Sequence, residues 1–263
     1  MKVADSNPQW VLNFATGRSF RWNLTNVAIP AGLRSRTCST GRPAARGSKA
    51  SPRQLDIFVK LDYGVIYSPG GNVAKIPPFD ADGLLPPADY ELSFEELRNS
   101  TLVVGPGGVV QHSSWDRPWR EQLVQNLEVL TRQLWQAGIQ EVLADGSFVE
   151  DKDHPNDIDG YFVCDLRPLM TGELVRKLNL LDPAKVWTGG AASRKPYRGY
   201  PKRQLPMWHQ YRVELYPHVP GLGIGSGIFD KYGNELEFPS AFRQCRRNGK
   251  SRGIVKIKYG GQS

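Results

Sequence analysis

The chain has 263 residues, 40% of them hydrophobic, enough for one good core or one core with appendages. It contains no apolar run of the roughly 18 residues that a membrane span needs. Its net charge of +8 is confined to residues 1–53, where nine Lys or Arg accompany one acid, Asp5; residues 54–263 carry 25 basic and 25 acidic side chains. The basic total therefore gives no broad electrostatic case for nucleic-acid binding by the body of the chain.

Residues 1–53 read as a basic, low-complexity extension. The stretch 33–53, LRSRTCSTGRPAARGSKASPR, has no apolar period and is expected to be disordered. Trp10, Val11, Leu12, Phe14, Phe20, Trp22 and Leu24 precede it in no clear pattern. An extension without special function, a translated upstream segment, and an RNA-touching arm or targeting segment all fit this composition. Cys38, Cys164 and Cys245 are odd in number and widely spaced, so neither a disulfide framework nor a zinc knuckle is suggested. A reducing compartment, the cytoplasm, is the expected location.

Residues 54–263 read as one domain. LDIFVKLDYGVIY, from Leu55, is strand-like, and Pro69-Gly70-Gly71-Asn72 is a turn. LLPPADYEL, residues 84–92, is an extended entry to a short helix, which Ser93-Phe94-Glu95-Glu96 opens as a capping box. Glycine and proline break the periodicity over 101–113. Asp116 is the expected N-cap of the next helix, with Pro118 in its first turn. Leu123, Leu127, Leu130 and Leu134 form one apolar stripe, and Gly138 ends the helix. A short strand follows at Val142-Leu143-Ala144, then a loop, then a strand from Ile158 to Cys164. A helix is expected over Leu174–Leu181, a loop over 188–206 and a strand over 211–216, YRVELY. Glycines 221, 223, 225 and 227 suggest a flexible stretch, Phe238–Arg247 a short helix, and GIVKIKY, residues 253–259, a closing strand. This order describes a single α/β (α+β) domain.

The chemistry concentrates between residues 145 and 160. Asp157 and Asp159 are two apart, so on a strand both face one way while Ile158 faces the other. Two such carboxylates repel. A divalent cation with a taste for hard oxygen ligands, Mg²⁺ (or Mn²⁺), relieves that repulsion. Gly146-Ser147 directly follows the preceding strand. Glycine lets a phosphate approach the backbone and serine supplies a hydroxyl donor. A phosphate cradle beside a metal-binding pair is what phosphoryl or nucleotidyl transfer requires. Taken singly, Asp-Ile-Asp is also what a solvated strand edge looks like, and Asp145-Gly146 what a turn looks like.

GSFVEDKDHPNDIDGYF resembles the signature of the DNA polymerase β-type nucleotidyltransferase superfamily. There, Gly-Ser and a downstream Asp-x-Asp are completed by a third acid on another strand. LLPPADYELSFEEL, the Leu-rich helix and the closing RGIVKIKY extend the likeness to minimal, toxin–antitoxin-like nucleotidyltransferases of bacteria and phages, a largely uncharacterised family. The resemblance covers about residues 55–263. It implies a nucleotidyltransferase-like palm, with a short mixed sheet flanked by helices. It also implies an NTP substrate held at Gly146 and Ser147, and Mg²⁺ held by Asp157, Asp159 and a later acid. That acid is expected to be Glu214, on the YRVELY strand, in place of the more usual aspartate. Asp165 is the rival, but it lies six residues past Asp159 on the same strand, roughly 20 Å away.

The expected reaction moves an NMP from an NTP to a hydroxyl of RNA, protein or a small molecule, releasing pyrophosphate. A metal-dependent phosphodiesterase or nuclease, and a catalytically silent member of a toxin–antitoxin pair with a small cognate protein, are the alternatives. Lys152 is placed to meet a phosphate or to face water, and Arg212 to bind a triphosphate or to pair Glu214. RKPYRGYPKR, residues 194–203, interleaves cations with tyrosines, as an RNA contact or a solvated loop would. His209 and His218 lack the spacing of zinc ligands, and His154, just before Pro155, is expected to shape the site loop.

Overall fold

In the computed structural model, residues 76–107, 114–223 and 225–260 are described. The extension 1–53, the boundary at 54, the strands from Leu55 and the turn at 69–72 lie outside them. In chain order the elements are β1 (Asp89–Leu92), α1 (Phe94–Arg98), α2 (Thr101–Val104), α3 (Arg117–Gln136), β2 (Val142–Asp145) and a 3-10 turn (Gly146–Val149). Then come β3 (Ile158–Val163), α4 (Leu166–Met170), α5 (Glu173–Leu181), α6 (Pro206–Tyr211), β4 (Val213–His218), β5 (Gly225–Phe229), β6 (Glu235–Glu237), α7 (Phe238–Phe242) and β7 (Ile254–Ile257). The fold is mixed α/β, a short mixed sheet with helices against it.

Local chemistry explains the best-formed helices. Ser93 Oγ accepts from the Glu96 N–H, and Glu96 returns a carboxylate to the Ser93 N–H, so both ends of the capping box close. Asp116 accepts from the Trp119 N–H and caps α3. Gly138, at φ +96°, follows its last turn. Leu123, Leu127, Leu130 and Leu134 are completely buried. Each such side chain contributes about 1.5–3 kcal/mol relative to exposure.

The five-stranded sheet has the order β1-β7-β2-β3-β4. β7 runs parallel to β1 and antiparallel to β2; β3 is antiparallel to β2 and parallel to β4. Val142, Ala144, Ile158, Phe162, Val213, Leu215 and Val255 lie in one core with the α3 leucines. The alternate residues Leu143, Tyr161 and Ile254 pack with Phe238 and Phe242 of α7 on the other face. That second face, only partly covered, carries the acids. β5 and β6 form a separate antiparallel ribbon.

Besides α4 and β6, which the sequence reading lacks, and α7, which stops at Phe242, three details depart from that reading. α2 forms within the glycine- and proline-broken stretch: four residues are too few to show a period, and burial of Leu102 and Val103 holds them. α6 lies where the loop 188–206 gives way to the strand, begun by Pro206 and closed by Arg212 in the left-handed region at φ +54°. Gly225–Phe229, in the glycine-rich stretch, is a strand, because pairing with β6 supplies the backbone bonds. Cys164 and Cys245 are buried free thiols. Among the described residues no helix is long and apolar enough to cross a membrane.

Candidate active site

β2 delivers the chain into the turn Gly146–Val149, and two buried arginines fix its shape. Arg252, just before β7, donates to Gly146 O at 3.2 Å, Phe242 O at 3.1 Å and Asp145 Oδ2 at 2.6 Å, and also pairs Glu150. Arg120, on α3, reaches from the other side. Its guanidinium donates to Leu102 O at 2.6 Å, Phe148 O at 2.8 Å, Glu150 O at 3.1 Å and Lys152 O at 2.6 Å. It also lies 3.9 Å from the Trp115 ring centroid. Burial lowers its pKa to about 9, which leaves it charged at neutral pH. Gly146 sits at φ +81°, and a Cβ there would come within 2.8 Å of Asp159 Oδ2. Only glycine lets the turn lie this close to the acids.

The acids form a row across three strands. Asp145 pairs in register with Asp159, and Asp159 with Glu214, so the three share a sheet face. Asp157 stands one pleat repeat before Asp159 on that face, while Ile158 is buried on the opposite one. The members differ in their partners. Asp145 is ion-paired to Arg252; burial still pushes its carboxyl up to about 7. Glu214 accepts from the Leu205 N–H at 2.9 Å, from the Tyr216 hydroxyl, and distantly from Arg194 Nη1 at 3.5 Å. Asp157 accepts from Trp208 Nε1 at 2.7 Å. Among the described residues no donor reaches the Asp159 carboxylate.

Burial, followed by the charges of Asp157 and Glu214, holds the Asp159 carboxyl well above the usual range. Burial and Glu214 also raise Asp157, against the pull of the Trp208 N–H. Burial and the charges of Glu214 and Asp159 keep the Tyr216 phenol protonated far past its ordinary value, so it stays a donor to Glu214.

An open cleft of about 540 Å³ lies over the turn, lined by Gly146, Ser147, Lys152, Asn156, Asp159 and Arg246 among others. The expected phosphate cradle and Asp159 thus share one cavity, with exposed cations at its rim. Arg212 is placed differently. It caps α6, with its guanidinium 3.8 Å from the Trp208 and 4.3 Å from the Tyr197 ring centroid. Arg194, not Arg212, reaches Glu214. His154 stacks on Trp119 and pairs Asp116, tying the loop before β3 to the start of α3. Asp165 precedes α4 and is exposed.

Among the described residues, no group of three or more His, Cys, Asp or Glu stands arranged to grip a metal ion. The donor chemistry nonetheless suits a hard cation: Asp159 keeps both oxygens, and Asp157 keeps Oδ1, clear of donors among the described residues.

Sequence reading missed Arg120, Arg252 and Trp208, and placed Arg194 in the basic 194–203 stretch without its contact to Glu214. A signal existed for Arg120: it stands three residues before Leu123, on the buried stripe of α3, where a charge needs partners. The other three act through contacts distant in sequence.

Fold and site together define a mixed α/β domain with a carboxylate row beside a glycine turn. Residues 77–258 match the family of unknown function DUF6932, and the chain belongs to that family. No curated protein and no solved structure gives a match.

Proposed function

We propose that this domain is a metal-dependent nucleotidyltransferase of the DNA polymerase β type, moving an NMP from an NTP to an acceptor hydroxyl. The observation that carries the reading is Asp159. It is a carboxylate with no donor among the described residues, crowded by Asp157 and Glu214, against a turn where only glycine fits. An apoprotein that keeps such repulsion fits a centre completed by a cation. Mg²⁺, held by Asp157 and Asp159 with Glu214, would supply charge neutralisation for the attacking and leaving oxygens.

The protein's own groups do the rest. Gly146 and Ser147 receive the phosphates, and Lys152 and Arg246 offset their charge at the cleft rim. The acceptor oxygen attacks the α-phosphorus, the bond to the β-phosphate oxygen breaks, and pyrophosphate leaves. A carboxylate of the row takes the hydroxyl proton. Glu214, fixed by Leu205 and Tyr216, orients the acceptor.

The test is label transfer by the full chain, with Mg²⁺ and each α-³²P NTP, offered cellular RNA and protein. Label in one pool, lost to background in Asp157→Ala and Asp159→Ala, is the expected result. An unchanged rate in Asp157→Ala would sink the assignment. RNA cleavage without NTP would replace transfer by hydrolysis. Neither label nor pyrophosphate under any condition would leave a silent binding partner.

A further inference from the structure

Between Asp182 and Glu214 the chain has no acid but seven cations: Lys185, Arg194, Lys195, Arg198, Lys202, Arg203 and Arg212. Residues 54–263 are otherwise net acidic, since that whole span balances to zero. The basic stretch is folded into a feature of the site. Lys195 and Gln204 exchange backbone hydrogen bonds at 2.8 Å, closing a hairpin that holds Arg198, Lys202 and Arg203, all exposed. Its root is tied to the acids: Arg194 and the Leu205 N–H both reach Glu214. Its aromatic base is tied to them as well. Tyr197 and Tyr200 each stand edge-on to Trp208 at 4.9 Å, and Trp208 donates to Asp157. Tyr197 remains 38% exposed. Tyr200 lies near enough to Asp157 for that charge to add to the burial that raises its phenol.

We infer that the 195–204 hairpin is the acceptor-binding arm, and that it binds a single-stranded polynucleotide, delivering its end to Asp157 and Asp159. Exposed cations spaced among rings match a chain of phosphates spaced among bases. An acidic protein segment would use the cations but not the exposed face of Tyr197, which a base can stack on. Naming the strand as acceptor rests on the transferase reading; its binding to the hairpin does not.

The experiment uses the full chain and Arg198→Glu/Lys202→Glu/Arg203→Glu, with circular dichroism to confirm the fold. Anisotropy titrations with fluorescent single-stranded RNA and DNA across a salt series read affinity. The basic residues 1–53 are common to both proteins, so only the difference counts. The triple variant should bind at least about tenfold more weakly, with a log–log salt slope shallower by about two. A change under twofold for both polymers overturns the inference. A preference for one polymer identifies the strand. Independently of folding, wild-type protein photocrosslinked to 4-thiouridine RNA should carry the adduct on residues 194–204; adducts only elsewhere overturn it. RNA held there without NMP transfer removes the transferase reading alone. Transfer to protein, lost in the triple variant while RNA affinity is unchanged, removes this inference alone.

Discussion

The Gly146–Val149 turn and the carboxylate row lie against each other yet handle charge in opposite ways. At the turn, buried charge is matched: Arg120 and Arg252 between them bond five backbone carbonyls of residues 102 and 146–152 together with the carboxylates of Asp145 and Glu150. In the row, like charges face one another and Asp159 receives no donor among the described residues. Charge that fixes shape is compensated inside the protein. Charge that is left over marks where a ligand of opposite sign belongs.

Removing the compensation at the turn should have the largest effect. Arg252→Met strands the buried Asp145 carboxylate and frees the turn. A loss of about 3–5 kcal/mol is expected in urea unfolding, as is usual when one member of a buried pair is deleted. Asp145→Asn in the same chain should recover part of that loss; no recovery would separate the arginine's role from the pair.

Gly146→Ala sharpens the contrast where the two regions meet. Positive φ and a 2.8 Å approach to Asp159 act together, so a loss of about 1–3 kcal/mol is expected. Removing the other side of the clash separates the two causes. Gly146→Ala combined with Asp159→Gly should unfold at a higher urea concentration than Gly146→Ala alone, leaving the φ strain and the 3.2 Å approach to the residue 159 backbone nitrogen.

The smallest effect should run the other way. Asp159 and Asp157 have folded pKa values above the ordinary one. The stability they contribute is full below the unfolded pKa and is lost as pH rises through the folded value. Asp159→Asn should therefore melt no lower than wild type without metal, with its advantage growing as pH rises. Mg²⁺ should raise the wild-type Tm more at pH 8 than at pH 6, and the variant's hardly at all. Equal responses in a thermal-shift series would show that the row does not take the ion.

The elements that were legible in the sequence carry their signal locally. The α3 leucine stripe, the capping box at Ser93 and the alternation of Asp157, Ile158 and Asp159 need only neighbours within four residues. α4 and α6 are too short to show a period, and β5 depends on β6 for its pairing. The same limit divides the site. Asp157, Asp159, Gly146 and Ser147 stand in one short motif, and Glu214 was accessible as an acid on a later strand. Its register opposite Asp159 follows from strand pairing across more than fifty residues, and its hold on the hairpin root from a loop that folds back nine residues before it. Arg212 shows the cost of extending a strand period one residue too far: its left-handed backbone turns it onto Trp208 and Tyr197.

β7 lies between β1 and β2, and Arg252 precedes it by two residues. Asp145 therefore waits for a partner that is 107 positions downstream. At synthesis rates of about 5–20 residues per second, that interval is roughly five to twenty seconds. While a ribosome is still making the chain, β2 has an unfilled edge and the glycine turn is held by Arg120 alone of its two arginines. The turn therefore takes its final shape only when the closing strand has joined the sheet.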